Sequence, residues 1–402
     1  MFNPKRLYYS HTVLALCTLG FLSTMVARVV ISPVVPALTD DFAVSTGAIG
    51  LALSGMWAAY AFTQFPSGVL ADRKGERIVV LTAIGATGVT SLLLALSPAY
   101  VLFFVFAVAL GAATGFVYTA AASLVTKQSP DTGRAIGIYI AGGPIAGLIA
   151  PPIAAAVAVE YGWSAAVAIG AVAAVPVFVL FWRGIEPTPP ARSDTSLRDQ
   201  LDLETFTELL SRPPIVFTVL LAVLGAFTWQ AVASFLPAFL EMFHGFSRTG
   251  AGLLFSAYFV IHGATQPVTG ALSDRYSRDA TALLTMVVGT IGFSLLLVGT
   301  ALFTIILAIS LIGLAMSWGA PLQSKFMDNF STAEQGTGFG LVRTIYMGLG
   351  SFGSAVTGIL VDFGGWMQAF GLLAVLMAIG AILLTVSLLD QYLPLTLSVS
   401  SD

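Results

Sequence analysis

Apolar residues run along this chain in long blocks, and the polar residues between the blocks are few. A helix needs about 20 apolar residues to cross the hydrocarbon core of a bilayer. Twelve stretches have that length: residues 11–36, 46–71, 78–97, 99–125, 133–158, 163–183, 214–240, 249–272, 280–298, 301–325, 336–361 and 366–389, here called spans 1 to 12. Connectors such as Asp40-Asp41-Phe42 and Ser97-Pro98 leave no room for a folded domain. Backbone groups in lipid must be satisfied within the segment, so the pattern predicts helices packed as a bundle, an all-α integral membrane protein. The first apolar run continues through Pro33 without an A-x-A-like site. It therefore reads as a span that stays rather than as a signal peptide.

The one long polar stretch, residues 184–213, parts six spans from six. It predicts two six-helix bodies, 1–183 and 214–402, joined by a linker. Within the linker Leu197, Leu201, Phe206, Leu209 and Leu210 fall near helical spacing with acids between them. That pattern predicts a short amphipathic helix resting on the membrane surface.

Charge fixes an orientation. With the N-terminus inside, 14 of the 17 Lys and Arg residues lie on inner loops, Arg248 lies outside, and Arg28 and Arg343 lie within spans. This is the bias of the positive-inside rule, and it predicts a multi-pass protein of the cell membrane with both termini in the cytoplasm. Only 9% of residues are charged, against about 25% in a soluble domain. A net charge of −3 with no basic segment argues against nucleic acid as a partner.

Enzyme chemistry finds no foothold. The single cysteine, Cys17, excludes a disulfide framework, and His11, His244 and His262 are too scattered for a metal site. None of Lys5, Lys74, Lys127 and Lys325 precedes Ser or Thr, so there is no P-loop, and no G-x-S-x-G elbow occurs. No metal and no cofactor is expected, and the partners expected are the lipid bilayer and a small-molecule substrate bound by a monomer.

The chain repeats itself. Residues 64–77 read QFPSGVLADRKGER and residues 266–279 read QPVTGALSDRYSRD. At an offset of 202, Gln64 matches Gln266, Gly68 matches Gly270, Asp72 matches Asp274 and Arg73 matches Arg275. Gly50 and Gly252 keep that offset, whereas Gly133 and Gly336, Gly137 and Gly340, and Gly162-Trp163 and Gly365-Trp366 pair at 203. Spans 2 and 8 thus correspond, as do 5 and 11. The halves are parallel repeats related by an axis along the membrane normal, an arrangement found in transporters that rock two bundles about a central site.

GVLADRKGER resembles the loop signature of the major facilitator superfamily, G-x-x-x-D-R-x-G-R-R/K, between its second and third spans. Gly68, Asp72, Arg73, Gly75 and Arg77 match, and Glu76 stands where a basic residue is usual. The second copy keeps Gly270, Asp274 and Arg275. The resemblance covers nearly the whole chain and implies the fold of that family: twelve transmembrane helices in two pseudo-symmetric six-helix bundles. It also implies secondary active transport by alternating access, in a rocker-switch motion, by a symporter or antiporter. Asp72 would sit at the inner end of span 2, facing the N-terminus of span 11 near Gly336, where a carboxylate accepts orphan N–H groups and complements the helix dipole. Asp274 would do likewise near Thr132-Gly133. These contacts would be latches, closed when the protein faces outward and broken when it faces inward. The stripe Gly133, Gly137, Ala141 with Gly336 and Gly340 predicts close helix packing.

Candidate binding residues are the polar ones inside the membrane, because a buried charge there costs at least about 2.5–3.5 kcal/mol. None of the 20 acids falls well inside a span; Asp40, Asp41, Glu160, Glu241 and Asp362 lie at outer ends, and the rest on inner loops or the C-terminal tail. The interior instead holds Arg28, His262 and Arg343. Cations without matching acids invite an anion, which the planar fork of arginine binds bidentately. The competing reading for Arg343 is a side chain that snorkels to the inner surface, and for His262 a satisfied polar contact. Polar-tipped aromatics suited to a cavity wall are Trp57, Tyr60, Tyr118, Tyr139, Trp229, Tyr258, Trp318 and Tyr346. Gln230 holds in the second half the place of Arg28 in the first. The cargo expected is a small organic or inorganic anion, with proton coupling left open. The alternative is proton-coupled export of lipophilic compounds, against which stand the Ala150-Pro151 pair where Gly-Pro is usual and the lack of an intramembrane carboxylate.

Overall fold

The computed structural model describes residues 4–129, 131–190, 208–331 and 337–392, and among these no strand occurs. Span 1 begins as the helix Pro4–Val29 and is interrupted by a tight turn at Ser32–Val34 before continuing as Val35–Phe42. Pro33 and Pro36 cause the interruption, since neither can donate a backbone N–H to the helix ladder. Helices Thr46–Lys74, Glu76–Ala95 and Tyr100–Gln128 are spans 2, 3 and 4. Thr132–Gly184 crosses twice, as spans 5 and 6, reversing at Gly162 with φ of +82°.

The second half follows the same plan. Pro213–Met242, Arg248–Arg275 and Arg278–Val298 are spans 7, 8 and 9. Span 10 is Leu302–Ala315, a turn at Met316–Trp318, and Gly319–Asp328. Span 11 begins at Thr337–Gly350 and runs into Phe352–Tyr392, which reverses at Gly365 with φ of +81° to become span 12. The two reversals are the Gly-Trp pairs of the repeat, and their left-handed backbone is what glycine alone adopts at little cost. Among the described residues a helix stands at each of the twelve expected spans.

Repetition extends to the fine structure. Ser45 caps span 2 by accepting the Ala48 N–H at 3.2 Å, and Ser247 caps span 8 by accepting the Gly250 N–H at 3.1 Å. Glu76, at the start of span 3, is buried and pairs with Lys127 at the end of span 4. Asp279 and Lys325 make the same contact between spans 9 and 10. The departure from the loop signature at Glu76 is thus a buried acid with its own lysine, steadied further by the Ser123 hydroxyl at 3.2 Å.

The outward-facing surface is apolar, with Val172, Val298, Phe303 and Val386 all more than half exposed, as lipid requires. The bodies meet through spans 2 and 11, 5 and 8, and 1 and 7. Contact is concentrated toward the face opposite the one that carries Pro4 and Tyr392; these are called the distal and terminal faces. Near the distal face a Cβ on Gly50 would lie 2.6 Å from the Ser354 carbonyl, and one on Gly252 3.1 Å from that of Pro151. Toward the terminal face a Cβ on Gly133 or Gly137 would meet nothing within 4 Å, and one on Gly340 only Phe65 at 3.9 Å. The expected small-residue stripe is therefore unpacked at Gly133 and Gly137 and only loosely packed at Gly340. Glycine-mediated contact falls instead at Gly50, Gly147 and Gly252. Gly336 lies outside the described residues, as does most of the expected amphipathic helix of the linker. Residues 208–211 are helical, and Leu209 is fully buried.

Candidate functional site

Arg28 occupies the last turn of the first helix of span 1, just before the proline break. Its guanidinium is buried, donates through Nε to the Thr24 carbonyl at 3.3 Å, and lies 4.0 Å above the ring of Tyr60 and 5.1 Å from that of Trp57. Arg343 reaches the same place from span 11 of the other body. Its Nε donates to Gln64 Oε1 at 3.1 Å, and its guanidinium sits 4.6 Å over the ring of Tyr118. The Tyr60 hydroxyl is within interacting reach of both guanidinium groups. The two arginines, more than 300 residues apart in sequence, therefore share one tyrosine. Among the described residues neither has a carboxylate within 4.0 Å. Cation–π contacts of this kind are worth about 0.5–2 kcal/mol each and leave the hydrogen-bonding fork partly unused.

Aromatic residues extend the cluster on both sides. Trp57 meets Trp229 of span 7 edge to face at 5.3 Å and donates from Nε1 to the Ser234 hydroxyl at 3.3 Å. Tyr346, one turn beyond Arg343, interacts with it and meets Trp318 edge to face at 6.2 Å. Trp318 stands in the turn that interrupts span 10, against Gly225, and its indole N–H has no partner among the described residues. Arg28, Tyr60, Tyr118, Trp229, Trp318, Arg343 and Tyr346 are thus linked in one continuous cluster that takes side chains from both bodies.

Two expected residues, Gln230 and His262, stand apart from it, and a third, Tyr139, backs it from behind Tyr118, their rings 6.1 Å apart. Tyr139 is fully buried in the first body, where its hydroxyl donates to the Tyr118 carbonyl at 2.9 Å and its ring packs on Phe21. Gln230 turns toward span 11, donating to the Met347 carbonyl at 3.1 Å. His262 lies 2.7 Å from the amide nitrogen of Gln266 on its own helix, so its Nε2 accepts and its proton sits on Nδ1, which has no partner among the described residues. Gln64 is a site residue that stands outside the candidates expected from intramembrane charge and aromatic character. Its signal was present, since it heads the repeated phrase and matches Gln266; the two glutamines hold, respectively, the arginine of the opposite body and the histidine one turn away.

The loop residues divide likewise. Gly75 has φ of +86° and a Cβ there would lie 2.1 Å from the Thr188 carbonyl, so glycine is required. Arg77 donates to the carbonyls of Ile185 and Trp182 at 2.6 and 2.7 Å, fastening the loop to the end of span 6. Asp274 pairs with Arg278, which also donates to Asp328 at 2.9 Å. Asp72 and Arg73 have no hydrogen-bond or ion-pair partner among the described residues, and Gly68 faces Thr119 of its own body. Gly270 faces Ala320, and Arg275 lies over the Tyr276 ring.

Fold and site together define a polytopic membrane transporter built from two repeated six-helix bodies. The sequence matches the Major Facilitator Superfamily over residues 17–250 and 243–398, and the chain belongs to that family. It is 25% identical over 377 residues to a hexuronate transporter of Bacillus subtilis (strain 168), covering 86% of this chain and 87% of that one. It is 24% identical over 411 residues to a probable sulfoacetate transporter of Cupriavidus necator, covering 94% of each. Probable anion transporter 4, chloroplastic, of Oryza sativa subsp. japonica is 24% identical over 94% of this chain and 68% of its own length. Among solved structures, a bacterial homolog to the human lysosomal transporter Spinster, inward-facing and unoccupied, superposes with a TM-score of 0.80 at 18% identity, covering 96% of this chain and 98% of that one. A D-xylose–proton symporter gives 0.77 at 16%, covering 94% and 97%. The protein is thus a multi-pass membrane transporter of small molecules that works by alternating access, and not an enzyme.

Proposed function

We propose that the cargo is a small organic or inorganic anion held between Arg28 and Arg343. The observation that carries this reading is the convergence of two guanidinium groups, one from each body, on successive turns of span 2, at Tyr60 and Gln64, without an acid beside either among the described residues. A carboxylate or other oxyanion supplies the missing charge and engages both bodies at once, which is what a substrate must do to couple their movement. Three relatives bear names that speak of a hexuronate, a sulfoacetate and an anion, which supports the same class.

In this reading the terminal face is cytoplasmic in the cell membrane, the linker 184–213 joins bodies 1–183 and 214–402, and the protein works as a monomer. Asp72 and Asp274 latch the terminal face when the distal face opens. His262, with an unfilled Nδ1–H, is the group available for proton coupling, whether by symport or antiport.

Counterflow in proteoliposomes against carboxylates, oxyanions and neutral dyes tests the reading. Native protein exchanges anions, and Arg28→Ala and Arg343→Ala do not. Dye transport with no anion signal from native protein overturns it in favour of export of lipophilic compounds.

A further inference from the structure

Asp362 stands at the distal end of span 11, where the sequence offers only a charged loop end. Its carboxylate reaches across to the other body. Oδ1 accepts the backbone N–H of Thr46 at 2.9 Å, and Oδ2 accepts that of Gly47 at 2.8 Å. These are the first two N–H groups of span 2, a helix of 29 residues. The third, that of Ala48, is taken by Ser45. One orphan donor is thus capped from within the first body and two from the second.

The neighbouring contacts fit that bridge. A Cβ on Gly47 would lie 2.6 Å from Asp362 Oδ2, and a Cβ on Gly358 would lie 2.6 Å from the Thr46 carbonyl, so the two backbones meet with no room for a side chain. Ser54 donates to the Ser351 carbonyl at 2.5 Å and accepts the Ala355 N–H at 2.7 Å, two turns further in. The other seam, between spans 5 and 8, carries no such charge. Glu160, which matches Asp362 at the offset of 202, is exposed and without a partner among the described residues, and that seam closes on Gly252 against Pro151 and Gly147 against Phe259.

We propose that Asp362 is a positioning residue for transport: it holds the distal face shut by capping the N-terminus of span 2 in trans, and must release that cap each time the face opens. Spans 2 and 11 run antiparallel. Each therefore brings a carboxylate near its own C-terminal end to the N-terminal end of the other. Asp362 does so at the distal face, where the bodies touch. Asp72 occupies the mirrored place at the terminal face, and has no hydrogen-bond or ion-pair partner among the described residues. One helix pair carries the same device at both ends, engaged alternately. The part of Asp72 rests on the latch proposed above.

Paired spin labels at Leu51 and Phe363 read the distal gap by pulsed dipolar spectroscopy in the full-length protein, since the single native cysteine, Cys17, is buried. Loss of a carboxylate at a helix N-terminus shifts the equilibrium by a few-fold to about tenfold. Asp362→Ala is expected to raise the distal-open population by that factor. Asp362→Asn, which keeps one acceptor and loses the charge, falls between it and native. Glu160→Ala leaves the distribution unchanged. An Asp362→Ala protein with the native distance distribution, or an equal shift from Glu160→Ala, overturns the proposal. Asp72→Ala is expected to shift the population the opposite way; failure of that arm alone removes the Asp72 latch and leaves Asp362 standing.

Discussion

Arg343, in the second body, donates from Nε to the amide oxygen of Gln64, in the first, at 3.1 Å. The two residues are 279 positions apart, and the bond crosses from one body to the other. A hydrogen bond to a charged group is worth about 1.5–3 kcal/mol. Gln64 therefore aims the guanidinium through Nε, which leaves the terminal nitrogens to the neighbouring tyrosines and to cargo. Gln64→Ala is expected to weaken anion affinity about tenfold. Arg343→Lys, which keeps charge but loses the planar fork, is expected to do at least as much. Half-saturation concentrations from uptake measure both, and additivity of the two in the double variant would contradict a shared role.

Tyr60 joins the arginines through its ring to one and its hydroxyl to both. Tyr60→Phe keeps the cation–π contact and loses the hydroxyl, so its transport should fall a few-fold. Tyr60→Ala also loses about 0.5–2 kcal/mol of cation–π attraction and should fall further. Initial rates in the same vesicles give the order, and equal losses would put the whole effect in the hydroxyl.

The two lysine–acid pairs differ in exposure. The Lys127 side chain is 47% exposed and that of Glu76 2%, whereas Lys325 and Asp279 are 14% and 10%. Removing one partner of a buried pair costs about 3–5 kcal/mol because the other is left charged and dry. Lys127→Ala should therefore lower the melting temperature more than Glu76→Ala, which strands only a lysine that reaches water. Lys325→Ala and Asp279→Ala should be nearly equal. Thermal unfolding followed by tryptophan fluorescence compares all four, and a larger loss from Glu76→Ala would contradict the burial argument.

Positive φ occurs at Gly75, Gly162 and Gly365 for different reasons. At all three an alanine meets a left-handed backbone, at about 1–2 kcal/mol. At Gly75 it also meets the Thr188 carbonyl at 2.1 Å, while at Gly162 and Gly365 it meets open space. Gly75→Ala should be the most destabilising of the three by unfolding temperature, with Gly162→Ala and Gly365→Ala alike.

The sequence by itself determined the twelve spans, the two bodies and the twin reversals at Gly162 and Gly365. Lipid forces that outcome: a backbone without water must satisfy itself in helices, so block length alone counts the spans, and a repeat at 202 to 203 residues relates the halves. It also nominated Arg28 and Arg343, because an unpaired charge inside the membrane is conspicuous wherever it lies. Only the tertiary structure decided what each nominee touches. Tyr139 and Tyr60 are both polar-tipped aromatics within spans, yet one is core and the other sits between two arginines. Gln64 and Gln266 match in the repeat, yet one binds across the bodies and the other along its own helix. Asp362 was an acid at a loop end until span 2 was brought against it. These differences arise from how one rigid body is set against the other, a relation that changes during transport and that no local period in the chain encodes.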